Sequence, residues 1–274
     1  MKINCQEIRD RLLAEAAHKI QDQDLSLIVF QVGEDDASSV YVRNKKKTCE
    51  SIGINFIHRK LPIDATFAEA AGAIDFAVKV SRPTGIMLQL PLPPQLQEHE
   101  QELLDLIPWY MDVDGLSTNS VGRLWNDMPC LKPCTAQGVM EVLPKDLRMQ
   151  RVLLLGRSKL IGKPLVKMIL DRHGTPTVAH SKSDYALPSY HIIVSAIGQA
   201  NKFHWYDLDD RQLFIDVSIN RDERGKLCGD LDARAISGPY TPVPGGIGLL
   251  TTAFVALNTI KAKELQDELC SGKK

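Results

Sequence analysis

The chain has 274 residues, of which 44% are hydrophobic and 24% are charged. This balance is typical of a folded globular protein and excludes a disordered one. Its 33 basic and 34 acidic side chains leave a net charge of −1, so it lacks the basic excess of nucleic-acid-binding proteins.

The first half of the sequence predicts alternating helices and strands. The predicted elements are a helix over 4–20, a strand over 25–32, a helix over 37–52 that closes at Gly53, a strand over 54–61, a helix over 66–80, a strand over 85–90 and a helix over 98–106. Because helices alternate with short apolar strands, we expect a parallel sheet covered by helices.

The second half repeats this alternation after a loop at 112–119. Strands are predicted near 151–155, 176–179, 191–196 and 213–217, and a final helix near 251–269. The length suits two domains. We therefore expect a two-lobed α/β fold: an amino-terminal lobe over 1–118, a Rossmann-like nucleotide-binding domain over 119–247, and a carboxy-terminal helix over 248–274 that packs back on the first lobe. A catalytic cleft is expected between the lobes.

Targeting and metal-binding patterns are missing from the sequence. The first ten residues are polar, and no later run is long and apolar enough to span a bilayer, so we expect a cytoplasmic protein with no membrane partner. The six cysteines form no Cys-x-x-Cys pair and are expected to be free thiols. Neither they nor the seven histidines have zinc spacing, so we expect no bound metal.

A glycine turn links the predicted strand 151–155 to a helix. It runs from Gly156 to Gly162, and its amides at a helix start suit a pyrophosphate. Ser158 holds the place of a second glycine, so an ordinary strand–helix turn is the alternative.

The segment after the next strand indicates which nucleotide binds. NAD sites usually carry an acidic residue about 20 positions after the turn, but the sequence there reads Ala179-His180-Ser181-Lys182. Arg157 and Ser181, with Lys182, are suited to a 2′-phosphate. We therefore expect NADP in preference to NAD.

Three polar residues in the first half are candidates for chemistry. Tyr41 and Lys45 are four residues apart on a predicted helix, so they share one face. A solvated helix face is the alternative, and is favoured for Lys46 and Lys47. Gln89 ends a buried strand where α/β proteins usually bind ligands, although a purely structural amide would also fit.

Several motifs in one order carry a family resemblance. They are Gly33 with Ala37-Ser38-x-x-Tyr41-x-x-x-Lys45, Gln89-Leu-Pro-Leu-Pro93, Asp112-Val-Asp-Gly115, Pro133-Cys-Thr135, Gly156-Arg-Ser158 with Gly162-Lys-Pro164, His180-Ser181 and Thr241-Pro-Val-Pro-Gly-Gly-Ile-Gly248. Together they resemble the bifunctional methylenetetrahydrofolate dehydrogenase/methenyltetrahydrofolate cyclohydrolases, the FolD family, over nearly the whole chain.

The resemblance implies an NADP-dependent enzyme of one-carbon metabolism that serves purine biosynthesis. Its substrates would be tetrahydrofolate derivatives: 5,10-methylenetetrahydrofolate is oxidised to the methenyl form, which is then hydrolysed to 10-formyltetrahydrofolate. The family further implies that the amino-terminal lobe binds folate and that the protein is a homodimer.

The resemblance also assigns residues. Lys45 would be the general base, oriented by Gln89, while Tyr41 would stack on or bond the folate and Asp114 would bind the pterin. The expected substrate contacts are Tyr41, Lys45, Gln89, Leu90, Pro91, Asp114, Pro244, Gly245 and Gly246. The expected cofactor contacts are Gly156, Arg157, Ser158, Ile161, Gly162, Ser181, Ala196, Gly198 and Ser218.

The chain departs from the family pattern at a few positions, namely Asp36, Met111, Ala136, Ser218 and Leu249-Leu250. Met111 stands where lysine is usual, Ser218 where glycine is usual, and Leu249-Leu250 where Pro-Met is usual. These departures keep two alternatives open. One is a monofunctional or non-catalytic folate- or nucleotide-binding paralogue, and the other is a two-lobed dehydrogenase of the shikimate or amino-acid type.

Overall fold

The computed structural model describes residues 1–20, 23–34, 36–232 and 238–272, apart from the side chains of 36–38 and 205. Backbone contacts divide the chain into two compact units. One, here the Lys45 unit, comprises 11–134 and 252–274, and the other, the Gly156 unit, comprises 1–10 and 135–251. The domain boundaries drawn from the sequence at 118 and 247 stay a prediction. Within the described residues, no helix is long and apolar enough to cross a membrane.

The Lys45 unit is built on a three-stranded parallel sheet of order β2-β1-β3. Its strands are β1 (Ser26–Val32), β2 (Asn55–Leu61) and β3 (Gly85–Leu88). Its helices are α1 (Cys5–Lys19, shared with the other unit), α2 (Asp36–Glu50), α3 (Phe67–Phe76, continued by a π turn at Ala77–Ser81), α4 (Pro94–Gln97), α5 (Glu100–Asp105) and α6 (Thr118–Trp125).

Local chemistry explains where these elements begin and end. Thr66 caps α3 in a reciprocal capping box: its side chain accepts from the Glu69 amide, and the Glu69 carboxylate accepts from the Thr66 amide. Strand β1 is buried at six of its seven positions, as expected for the central strand of a covered parallel sheet. Phe30 of β1 lies opposite Leu88 of β3, and the Gln89 amide donates to the Phe30 carbonyl at 2.8 Å. This register places Gln89 at the carboxyl edge of the sheet.

The last helix, α9 (Ile247–Cys270), begins four residues before the helix predicted near 251–269 and one residue before the segment predicted over 248–274. Residues 273 and 274 of the predicted helix 248–274 lie outside the described residues. Within the Lys45 unit, Ala253, Val255 and Ala256 of α9 share a hydrophobic core with Leu27 and Val29 of β1. This apolar packing stabilises α9, since most of the stability of a helix in a protein comes from the packing of its apolar face.

The Gly156 unit holds a four-stranded parallel sheet of order β5-β4-β6-β7 and a small antiparallel hairpin. Its strands are β4 (Arg151–Leu155), β5 (Thr175–Ala179), β6 (Ile192–Ser195), β7 (Leu213–Asp216), β8 (Asn220–Arg221) and β9 (Leu227–Cys228), and its helices include α7 (Cys134–Val142) and α8 (Gly162–Leu170). The four predicted strands are confirmed to within a residue or two. The parallel order and the strand–turn–helix unit β4–α8 confirm the Rossmann-like class.

Candidate functional site

Lys45 is a buried lysine on α2. Only 5% of its surface is exposed, and its Nζ donates to Gln89 Oε1 at 2.8 Å and lies 3.5 Å from Met87 Sδ. Its neighbours Lys46 and Lys47 are exposed, as the alternative of a solvated helix face predicts for them. Because an ammonium group is rarely buried without a function or a full set of partners, Lys45 is the strongest catalytic candidate of this unit.

Burial lowers the pKa of Lys45, and the nearby Asp114 carboxylate raises it by a smaller amount. The thiols of Cys134 and Cys49 act in the same direction as Asp114, but burial raises the pKa of Cys49 to about 12 and that of Cys134 well above its usual value. Both thiols therefore stay protonated, and Asp114 is the carboxylate that balances Lys45. A lysine with a lowered pKa can lose its proton near neutral pH and act as a base.

The Gln89 side chain is engaged on both sides of its amide. Its oxygen accepts from Lys45, and its Nε2 donates to the Leu90 carbonyl at 2.6 Å. Only 9% of the residue is exposed. The second hydrogen bond fixes which side of the amide faces Lys45, so the acceptor is held in place.

Asp114 reaches this site through a backbone segment that runs beside β3. The Val113 amide donates to the Ile86 carbonyl, and the Ile86 amide donates to the Met111 carbonyl. Gly115 closes the segment with φ of +64°, and a Cβ there would stand 2.6 Å from the Leu131 carbonyl oxygen. Both features require glycine at this turn.

Asp114 is half-buried and is electrostatically coupled to Lys45. Burial raises the pKa of the Asp114 carboxyl, whereas Lys45 and a hydrogen bond from the Cys134 thiol lower it. The charge state of each of these two residues therefore depends on that of the other. The family resemblance implied that both belong to one site, and in the structure Lys45 interacts electrostatically with Asp114 and donates to Gln89 at 2.8 Å.

Two residues that hold Asp114 in place were missed. Asn258 of α9 is buried, and its Nδ2 donates to the carbonyls of Val113 (2.7 Å) and Lys132 (2.8 Å). The Cys134 thiol donates to the same Val113 carbonyl at 3.3 Å. A polar amide inside the apolar pattern of α9 was the available signal for Asn258, and Cys134 stood in a matched motif without an assigned role.

A second buried carboxylate, Asp112, lies two residues before Asp114. Its Oδ2 accepts from the Ser117 amide at 2.8 Å and from the Ser120 hydroxyl at 2.7 Å. Burial raises the pKa of Asp112 to about 6, although these hydrogen bonds oppose the shift. Asp112 thus ties the Asp114 segment to the start of α6.

Tyr41 lies one turn before Lys45 on α2 and is half-buried. Burial raises the pKa of its hydroxyl, which therefore stays protonated and can donate a hydrogen bond. Leu90 and Pro91, the next predicted substrate contacts, follow Gln89 directly and are increasingly exposed.

In the Gly156 unit, β4 leads into a turn that only glycine permits. Gly156 has φ of +120°, and a Cβ there would lie 2.9 Å from the Ala196 carbonyl oxygen. A Cβ on Gly162 would lie 2.2 Å from the Gly156 carbonyl oxygen, so the two ends of the turn touch through their backbones. A cradle this tight lets a phosphate approach the amides at the start of α8.

The side chains around this turn fit a phosphorylated nucleotide. Arg157, Ser158 and Ser181 are exposed, and the Ser158 hydroxyl accepts from the Ile161 amide at 3.2 Å, which shapes the turn. No carboxylate follows Ala179 at the end of β5 in the described residues 180–183. This set therefore suits a 2′-phosphate better than a free ribose hydroxyl.

The remaining predicted contacts also lie in the Gly156 unit. Ala196 and Gly198 follow β6, and the Gly198 amide donates to the Ser218 hydroxyl at 3.0 Å. Pro244 and Gly245 are exposed, whereas Gly246 is buried and a Cβ there would lie 2.2 Å from a backbone oxygen. The role of these three residues as substrate contacts stays a prediction.

Comparison with known families matches both parts of the chain. Residues 3–114 match "Tetrahydrofolate dehydrogenase/cyclohydrolase, catalytic domain", and residues 133–267 match "Tetrahydrofolate dehydrogenase/cyclohydrolase, NAD(P)-binding domain". A relative named "Bifunctional protein FolD" from Magnetococcus marinus is 38% identical over 95% of this chain and 94% of its own.

Solved structures give the same result. The bifunctional FolD methylenetetrahydrofolate dehydrogenase/cyclohydrolase from Campylobacter jejuni superposes with a TM-score of 0.90 at 30% identity, covering 97% of this chain and 99% of its own. The methylenetetrahydrofolate dehydrogenase-cyclohydrolase from Trypanosoma brucei, solved with NADP cofactor and inhibitor, has a TM-score of 0.89 at 26% identity, covering 97% and 98%.

Proposed function

The chain belongs to the tetrahydrofolate dehydrogenase/cyclohydrolase family, and we propose that Lys45, Gln89 and Asp114 form its active site. The enzyme oxidises 5,10-methylenetetrahydrofolate with NADP and hydrolyses the methenyl product to 10-formyltetrahydrofolate, two reactions of one-carbon metabolism. The observation that carries the site assignment is the buried hydrogen bond of 2.8 Å from Lys45 Nζ to Gln89 Oε1.

For the oxidation, the chain's own residues bind and orient. Bound NADP would supply the acceptor for the hydride from the methylene carbon of the substrate. Gly156, Ser158, Ile161 and Gly162 would hold its pyrophosphate at the start of α8, while Arg157 and Ser181 would hold the 2′-phosphate. In the other unit, Asp114 would hydrogen-bond the pterin. These contacts supply orientation, which is the main protein contribution to such a transfer.

For the hydrolysis, Lys45 would act as the base. In its neutral form the Nζ would accept a proton from the water whose oxygen bonds to the methenyl carbon. The bond from that carbon to N5 then breaks, N5 takes the proton back from the Lys45 ammonium, and the hydroxyl releases its proton to solvent as the formyl carbonyl forms. Burial and a cationic substrate both favour the neutral amine, and Gln89 would keep that amine aimed. Tyr41 would stack on or bond the folate.

We also propose the remaining substrate contacts, the oligomeric state and the compartment. Leu90 and Pro91 would border the folate beside Gln89, and Pro244, Gly245 and Gly246 would add a backbone surface that a ligand can approach closely. A homodimer in the cytoplasm is supported by the family resemblance, and light scattering of the purified chain would measure the dimer mass.

The site assignment is tested with Lys45→Met and the matched control Lys47→Met. Lys47 is exposed on the same helix, so its replacement should leave both reactions unchanged. With 5,10-methylenetetrahydrofolate and NADP, wild type should produce reduced NADP without accumulating methenyl product. Lys45→Met should accumulate the methenyl product, because the base for its hydrolysis is missing.

Two outcomes would contradict the proposal. Full cyclohydrolase activity in Lys45→Met would exclude Lys45 as the base. Tight binding of folate and nucleotide by wild type without any turnover would mean that the chain is a binding paralogue that has kept the family's fold.

A further inference from the structure

Asp230 is fully buried in the Gly156 unit and collects an unusual number of hydrogen bonds. Its carboxylate accepts from five donors: the Ser195 hydroxyl (2.6 Å), the Ile197 amide (3.0 Å), the Ser218 hydroxyl (2.7 Å), the Gln199 amide (2.8 Å) and the Asn220 side-chain amide (3.0 Å). None of the sequence motifs singled out this residue. A buried carboxylate with this many donors helps to fix the groups around it, because moving any of them would cost it a hydrogen bond.

Two of these donors, the amides of Ile197 and Gln199, belong to the loop that follows β6, residues 196–200. Asp230 holds the amides of Ile197 and Gln199, and the Ser218 hydroxyl holds the amide between them, that of Gly198. Three successive amides of the loop are therefore bound by two side chains. Gly198 has φ of +69°, a conformation that these inward hydrogen bonds maintain.

The same loop lies against the glycine turn. The carbonyl oxygen of Ala196, its first residue, would be only 2.9 Å from a Cβ on Gly156. The contact is backbone to backbone, so a shift of the loop would displace the turn. Asp230 therefore acts on the glycine turn through loop 196–200, although Asp230 itself is not part of the turn.

We propose that Asp230, together with Ser218, is a positioning residue for the dinucleotide: it fixes loop 196–200 and so sets the affinity of the glycine turn for NADP. This inference rests on the proposed cofactor contacts Ala196, Gly198 and Ser218. The family resemblance implies glycine at position 218, so the Ser218 hydroxyl, which links Asp230 to the Gly198 amide, is a departure of this chain.

The test uses Asp230→Asn, Ser218→Ala and the double variant of the full-length chain. Asparagine keeps the shape of Asp230 but turns an NH₂ group toward at least one of its donors, and alanine at 218 removes both hydrogen bonds of the hydroxyl. The control is Asp209→Asn, an exposed aspartate of the same unit whose carboxylate accepts from the side chain and the amide of Arg211. Titration calorimetry with NADP gives the Kd, and hydrolysis of methenyltetrahydrofolate without nucleotide gives the cyclohydrolase rate.

Asp230→Asn should weaken NADP binding by about tenfold or more, since it disrupts hydrogen bonds to a charged group, and Ser218→Ala should weaken it less. The double variant should be little worse than Asp230→Asn, because the two residues act as one unit. Cyclohydrolase rates should change far less than the Kd.

Unchanged NADP affinity in both single variants would overturn the proposal, and so would parallel losses of NADP binding and cyclohydrolase rate, which mark a purely structural residue. If Asp230→Asn does not fold, Ser218→Ala decides by the same two measurements. Failure of the wild type to bind NADP would instead refute the proposed function.

Discussion

Replacing Gln89 should move the pH dependence of the cyclohydrolase reaction. Gln89 Oε1 accepts from Lys45 Nζ at 2.8 Å in a buried site, and it stabilises the ammonium form more than the neutral amine. In Gln89→Leu the ammonium loses this acceptor, so the pKa of Lys45 falls further below its usual value. The neutral base then persists to lower pH, so the acidic limb of the rate profile should shift to lower pH.

The size of the displacement follows from the hydrogen bond. A hydrogen bond to a charged group is worth about 1.5–3 kcal/mol, and about 1.4 kcal/mol corresponds to one pH unit. The acidic limb should therefore move by about one to two pH units, less if Met87 Sδ, at 3.5 Å, takes over part of the contact. Gln89→Glu should move the limb in the opposite direction, because a carboxylate at this place favours the ammonium.

The assay follows the loss of methenyltetrahydrofolate absorbance across pH for wild type, both Gln89 variants and Gln95→Leu, an exposed glutamine of the same unit. Lower maximal rates are expected in both Gln89 variants because Lys45 is less well aimed. Displacement of both profiles in the same direction, or profiles that fall in height without moving, would refute the electrostatic coupling of Gln89 to Lys45.

Two further predictions test the glycine turn and the second buried carboxylate. Gly162→Ala places a Cβ 2.2 Å from the Gly156 carbonyl oxygen, so it should greatly weaken NADP binding while cyclohydrolase activity remains. The control is Gly72→Ala, because nothing lies within 4 Å of a Cβ there. Equal NADP affinity in both variants would contradict the role of the glycine turn in binding NADP. Because the folded pKa of Asp112 is raised to about 6, this carboxyl stabilises the fold at low pH, and its contribution is lost as pH rises from about 4 through 6. Asp112→Asn keeps an acceptor but does not ionise, so its unfolding free energy relative to wild type should increase by up to about 3 kcal/mol between pH 4 and pH 7. Urea denaturation of both proteins at the two pH values measures this difference. A difference that does not change with pH would contradict the raised pKa of Asp112.

The sequence could predict the parts of this protein that follow local patterns. The spacing of apolar residues and the glycines and prolines between elements located the strands of both sheets. The glycines of the turn 156–162 marked the start of α8, because a side chain there is sterically excluded. The sequence pattern placed Lys45 on a helix and Gln89 at the end of a buried strand, whereas their pairing was implied by the family resemblance.

Residues that act through tertiary hydrogen bonds were beyond this reasoning. Asn258 lies 145 positions from the Val113 carbonyl that it holds, and Asp230 lies 35 positions from Ser195. Nothing in the local spacing of either residue indicates its partner, since the distance between them is set by how whole elements pack. Even so, Asn258 is an amide within the mostly apolar first half of α9, and such departures from a pattern are where functional or supporting residues are found.

The departures from the family pattern lie in two kinds of surroundings, the apolar core and the hydrogen-bond network around Asp230. Met111 and Leu250 are 5% and 0% exposed, and Leu250 packs against Gly138, whose Cβ would lie 3.1 Å from that of the leucine. Both side chains thus fill the core, where an apolar replacement alters packing and leaves the Lys45 site with its hydrogen bonds. Ser218 differs, because its hydroxyl adds a link between Asp230 and the loop beside the glycine turn. We therefore expect the Ser218 link to affect NADP affinity and not the rate of methenyl hydrolysis.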